Sequence, residues 1–137
     1  MTRRTLMLFA LVALMVAVAS AVATATQDHA TPNFKPKHDS GIQGKVHLNQ
    51  LSSGGTRILV QARGLKPGKR YISLYYDNHR CALEPYSKED VIGRYTANPD
   101  GNAGTSGIAD DDLDEIHSVS VRSAKTFKLL ACARVDQ

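Results

Sequence analysis

Arg57-Ile58-Leu59-Val60-Gln61-Ala62 places Ile58, Val60 and Ala62 on one side of an extended chain. The run is short and rich in β-branched residues, and Gly64-Leu65-Lys66-Pro67-Gly68 ends it, so it reads as a half-buried strand. The same reading extends in both directions. Upstream, Gly44-Lys45-Val46-His47-Leu48-Asn49-Gln50 alternates, and Ser52-Ser53-Gly54-Gly55 makes the turn between the two runs. Downstream come residues 71–76 (YISLYY), 91–97 (VIGRYTA), a glycine-rich run at 103–108, the alternating Ser118-Val119-Ser120-Val121-Arg122, and residues 127–135. Asn98-Pro99-Asp100-Gly101 closes the fourth of these seven runs. No segment sustains a helical period, and only residues 110–116 offer a helical turn. About seven short strands separated by turn residues predict an all-β antiparallel sandwich or barrel. Its inner face should collect Val46, Leu48, Ile58, Val60, Ile72, Leu74, Val119, Val121, Phe127, Leu129 and Ala131.

The N-terminus differs in kind. Arg3 and Arg4 precede an uninterrupted apolar run at 6–19 (LMLFALVALMVAVA), and small residues follow at 20–26. That order predicts a secretory signal over residues 1–25, cut after Ala23 or Ala25. A retained anchor is disfavoured because a membrane span needs ~20 apolar residues. Thr2-Arg3-Arg4-Thr5-Leu6-Met7 also resembles a twin-arginine export motif. The expected protein is therefore secreted or periplasmic, with no membrane span after cleavage. Residues 26–41 are polar, contain Pro32 and Pro36, and read as a flexible lead-in to a domain at 42–137.

Composition narrows the function classes. About 112 residues remain after cleavage, enough for a single core. The formal charge is +4, but Arg3 and Arg4 supply two of those charges and leave +2. No concentrated basic stripe marks a nucleic-acid surface. Cys81 and Cys132 are the two cysteines, and in an exported chain an even pair reads as a disulfide. The loop between them spans 51 positions, for which chain entropy predicts about 4 kcal/mol of stabilisation.

Three blocks resemble the copper–zinc superoxide dismutase family. They are Gly64-Leu65-Lys66-Pro67-Gly68-Lys69 with Asp77-Asn78-x-x-Cys81 after the next strand, Gly93-Arg94-Tyr95-Thr96-Ala97-Asn98-Pro99-Asp100-Gly101, and Leu130-Ala131-Cys132. The resemblance implies a Greek-key sandwich of seven to eight strands and matches Cys81 and Cys132 to that family's intrasubunit disulfide. The Gly-Leu-x-Pro-Gly turn also resembles chordin-type extracellular domains. The dismutase metal ligands do not carry over. The strand expected to hold His-x-His reads Ser73-Leu74-Tyr75, no histidine follows Cys81 before the next block, and the last copper ligand falls near Arg122. Superoxide dismutation needs a redox-cycling metal held by nitrogen-rich ligands, and serine and neutral tyrosine are poor replacements. No cofactor and no dismutase activity are expected.

Among the remaining candidates, His79 and His117 could form an adventitious metal pair, although neither has a ligand-spaced histidine partner. The acidic run Asp110-Asp111-Asp112-Leu113-Asp114-Glu115 lacks the glycine and spacing of an EF-hand, and reads as a solvated loop. Tyr71, Tyr75 and Tyr95 with Arg94 make a candidate binding patch, since tyrosine combines apolar area with a hydroxyl. Arg70 and Arg80 lie nearby in sequence. No Gly-x-Ser-x-Gly elbow and no phosphate-cradling loop occur. The expected function is a non-catalytic binding or structural module, its partner an extracytoplasmic protein or a small ligand. A divergent dismutase or copper-binding protein, and a chordin-like interaction module, are the alternatives.

Overall fold

The computed structural model describes Ser20 and residues 28–136. The expected signal, apart from Ser20, lies outside the described residues. The architecture is two antiparallel sheets packed face to face. The strands are β1 (His29–Ala30), β2 (Lys35–Pro36), β3 (Gln43–Gln50), β4 (Thr56–Arg63), β5 (Arg70–Tyr76), β6 (Val91–Thr96), β7 (Ala103–Ala109), β8 (Ser118–Ser123) and β9 (Leu129–Arg134). The first sheet has the order β1-β3-β4-β7 and the second β2-β9-β8-β5-β6. Among the described residues, no helix is long and apolar enough to cross a membrane.

The alternation in β3 and β4 forces one register. Val46 pairs with Val60 and Leu48 with Ile58, so four fully buried side chains meet on one face. A one-residue slip of either strand would turn its own pair to solvent. Each such side chain contributes roughly 1.5–3 kcal/mol on burial. The second sheet answers with Val119, Val121 and Ala131, all fully buried in the same cluster. Beside them, β6 and β7 face each other across the sandwich edge without a hydrogen-bonded ladder. Their approach depends on glycine, because a Cβ on Gly107 would stand 2.8 Å from the Ile92 carbonyl oxygen. The glycine-rich run is thus a seam where β6 and β7 approach closely. Around it the spatial order β8-β5-β6-β7 is that of a Greek key.

Two expectations need correction. Residues 28–40 are not a loose lead-in. His29 and Ala30 pair with Asn49 and Leu48, while Lys35 and Pro36 pair with Cys132 and Ala131. Phe34 between them is 5% exposed, and its N–H donates to the Gly44 carbonyl at 2.9 Å. The segment laces both sheet edges, where a proline is tolerated because an outward N–H is not needed. The inner face also differs at four positions. Ile72, Leu74, Phe127 and Leu129 lie in a second cluster with Tyr76 and the two cysteines. Tyr71 and Tyr75 face the main core instead. Strand β5 is buried on both faces, so its alternation could not say which side was inner.

Candidate functional site

The second cluster is organised by β5, β8 and the long loop at 77–90. Cys81 and Cys132 are joined by a disulfide with Cα atoms 6.0 Å apart. Cys81 takes a left-handed backbone (φ 52°), which costs a Cβ-bearing residue roughly 1–2 kcal/mol. Its N–H donates to Ser118 Oγ at 3.1 Å, and its carbonyl accepts from Arg122 Nη2 at 2.7 Å. Arg122 is 6% exposed. Its Nη1 donates to the Phe127 carbonyl at 2.8 Å and its Nε to the Tyr76 hydroxyl at 2.8 Å. Tyr76 in turn bonds Ser120 Oγ at 2.8 Å. Phe127 is the second left-handed residue of this region (φ 63°). One guanidinium therefore holds the carbonyls of two strained residues on separate loops, and lies 5.9 Å from the Tyr76 and Phe127 ring centroids. Charge-assisted bonds of this kind are about twice as strong as neutral ones.

The four candidate-patch residues do not form one surface: Tyr95 and Arg94 line one groove, Tyr75 lines a separate cleft, and Tyr71 lines neither. Tyr71, Tyr75 and Tyr95 are 3%, 6% and 9% exposed, and belong to the main core. Tyr71 and Tyr95 pair directly across β5 and β6 and stack with centroids 6.1 Å apart. Tyr71 accepts from the Lys66 N–H at 2.9 Å, and Tyr95 bonds Ser73 Oγ at 2.7 Å. Burial pushes the Tyr95 hydroxyl up to about 12. The tyrosines went inward because the outer face of β5 was already claimed by the disulfide cluster.

Arg94 is exposed, and with it the structure assembles a different constellation. On β5 and β6, Ile72 pairs with Arg94 and Arg70 with Thr96, so both arginines lie on the outer face of the second sheet. The β8–β9 turn brings Lys125 to the same place, where its neighbour Ala124 donates its N–H to the Arg70 carbonyl at 3.1 Å. Arg70, Arg94 and Lys125 line a groove of about 630 Å³ together with Tyr95, Thr96 and Ala124. No carboxylate among the described residues lines it. Among the described residues, none of the three cations makes an ion pair. Such a concave set of unneutralised donors focuses positive potential on an incoming anion. The sequence signalled Arg70 and Arg94 but not Lys125, which arrives through tertiary structure alone. Arg80 does not line the groove.

His79 and His117 are brought together, with ring centroids 4.5 Å apart and planes at 31°. The Nδ1 of His117 is buried without a hydrogen-bond partner. No third metal-ligating side chain among the described residues converges with the pair. Among the described residues, only Asp112, Asp114 and Glu115 present three ligand atoms within 4.8 Å of one another. Asp112 is already employed there. Its Oδ1 accepts from Gln50 Nε2 and from the Gly55 N–H, each at 2.8 Å, and those bonds hold its carboxyl below the usual carboxylate range. Glu115 caps the turn by accepting from the Asp112 N–H at 2.9 Å. The acidic run is thus a solvated loop, with Asp110, Asp112, Asp114 and Glu115 exposed, that is pinned over buried Leu113 and Ile116. At the positions where the dismutase resemblance puts copper ligands, Ser73 is bonded to Tyr95 and Arg122 to the Cys81 loop. No family model matches the chain, and no curated protein matches it.

Proposed function

We propose that this chain is an exported, non-catalytic binding module, built like a copper–zinc superoxide dismutase without its metal site, that takes an anionic group in the Arg70–Arg94–Lys125 groove. The observation that carries the reading is the convergence of three cations from two strands and a turn on one concave surface where, among the described residues, they meet no carboxylate. Two guanidinium groups and an ammonium facing one concave surface suit the capture of an anion. The Greek-key order of strands and the Cys81–Cys132 link support the resemblance, and the disulfide suits an oxidising compartment.

The test is titration of the mature protein with inorganic pyrophosphate and with a sulfated disaccharide at low ionic strength, read by backbone amide shifts. Binding should centre on residues 70, 94–96 and 124–125, weaken with salt, and fall at least tenfold in an Arg70→Ala/Arg94→Ala variant. Equal binding by that variant would count against the groove. The approach of His79 to His117 favours one second reading, a copper-binding protein with relocated ligands. Stoichiometric copper in untagged protein, lost in His117→Gln, would replace the first reading with that one.

A further inference from the structure

A cleft of the opposite charge lies at the far end of the same strand. It is about 250 Å³ and opens where β5 ends, where β6 begins and where the chain leaves β7. Its distance from Arg70 along β5 is ~20 Å by strand rise. Asp77, Glu84, Asp90 and Asp111 line it, and among the described residues no lysine or arginine does. Tyr75 and Tyr86 supply its aromatic walls. Tyr86 is held by stacking on Phe127, with centroids 5.5 Å apart.

Tyr75 carries the argument beyond a cluster of acids. It is 6% exposed, yet its hydroxyl makes no hydrogen bond to any described residue. The other three buried tyrosines all find partners: Tyr71 the Lys66 N–H, Tyr76 Ser120 and Arg122, and Tyr95 Ser73. The ring is buried while the hydroxyl itself meets solvent at the cleft that Tyr75 lines, where a ligand can take its bond. Burial, and then the charges of Asp111, Asp90, Asp110 and Glu89, push it up to about 12, which keeps it a neutral hydrogen-bonding group. Asp111 is itself pushed above the usual carboxylate range, by burial first and then by Glu115, Asp90, Asp110 and Asp77. The cleft accumulates negative charge, and no cation among the described residues lines it.

The spread of the acids selects the ligand class. A bare divalent cation needs several oxygens converging on one point. No three of the cleft carboxylates converge that way, since the one such trio among the described residues lies outside the cleft. Carboxylates spaced around a concave surface with aromatic walls suit N–H donors carried on an organic frame. We infer that this cleft is a second ligand site, which binds an alkylammonium cation through Asp77, Glu84, Asp90 and Asp111 with the Tyr75 hydroxyl at its floor.

The experiment titrates the full mature protein with spermidine, with a capped tetralysine peptide and with calcium, at low salt, followed by amide shifts and tyrosine absorbance. The free amine and the peptide distinguish a small metabolite from a protein side chain as the source of the same group. Saturable shifts with spermidine or tetralysine at residues 75–77, 84–90 and 110–112 are expected, leaving residues 70, 94 and 125 unmoved. Asp90→Asn/Asp111→Asn should weaken binding about tenfold or more, and Tyr75→Phe several-fold. Should Tyr75→Phe fold poorly, Asp77→Asn, at an exposed position, provides the same test. No saturable binding of either amine would overturn the inference. So would binding indifferent to these substitutions, or calcium competing at the same residues with higher affinity. Because the anion groove lies at the other end of β5, failure here leaves that reading standing, and the converse holds.

Discussion

Replacing Arg122 by methionine removes a buried cation while keeping much of its apolar stem. Three bonds are lost, to the Cys81 carbonyl at 2.7 Å and to the Phe127 carbonyl and Tyr76 hydroxyl at 2.8 Å. Tyr76 keeps Ser120 as a partner, so two carbonyls are orphaned. An orphaned buried acceptor costs about 1–3 kcal/mol. Both carbonyls also belong to left-handed residues, so the clamp that overrides roughly 1–2 kcal/mol of local strain at each is gone. Set against this is the desolvation cost of the guanidinium, which the variant no longer bears. The balance is a destabilisation of about 3 kcal/mol, set mainly by two orphaned carbonyls at about 1–3 kcal/mol each. For a domain of this size that lowers Tm by roughly 12–20 °C. Urea unfolding under non-reducing conditions, followed by tyrosine fluorescence, measures it. Arg122→Lys should recover less than half, because one ammonium cannot span three acceptors held in a planar fork. In the reduced protein the same substitution should cost less, since Cys81 is then free to relax and the two effects share one loop. A loss under ~0.5 kcal/mol in Arg122→Met, or full rescue by lysine, would refute the clamp.

Reducing the Cys81–Cys132 link, or replacing both residues by serine, should lower stability by about 4 kcal/mol from its 51-residue separation; unchanged urea midpoints would argue that the 77–90 loop is held by Arg122 alone. Tyr75 and Tyr95 are both pushed up from 10.0 to about 12, so the folded state favours their neutral forms. Their contribution to stability is complete below about pH 10 and is lost as pH rises from there through about 12. Absorbance titration should therefore show a late ionisation step, near pH 12 or coincident with unfolding, whose amplitude drops in Tyr95→Phe. Ionisation of every tyrosine near pH 10 in a still-folded protein would contradict it.

The strands were legible because their signal is local. Alternation at 43–50, 56–63 and 118–123, with glycine and proline between, follows from the two-residue repeat of an extended chain, and any sheet must respect it. The cysteine pair was legible for a similar reason, since two cysteines allow one intramolecular link. The edge strands at 28–40 were not, because two-residue pairings leave no periodic trace. Their one apolar anchor, Phe34, is visible only beside its neighbours.

What the sequence determined by itself was the all-β class, the main strand positions and the cysteine pair. It could not say which face of β5 was inner. Tyr71-Ile72-Ser73-Leu74-Tyr75-Tyr76 carries apolar area on both sides, and either set could have faced the core. The disulfide cluster took Ile72, Leu74 and Tyr76, which turned Tyr71 and Tyr75 inward and dissolved the expected tyrosine patch. Tertiary structure also decided the two charged ends of the molecule. Lys125 reaches Arg70 and Arg94 through a turn 31 residues beyond Arg94, and Asp111 reaches Tyr75 from the opposite sheet. Electrostatic grouping of this kind depends on distances across the sandwich, and no local pattern in the chain encodes them.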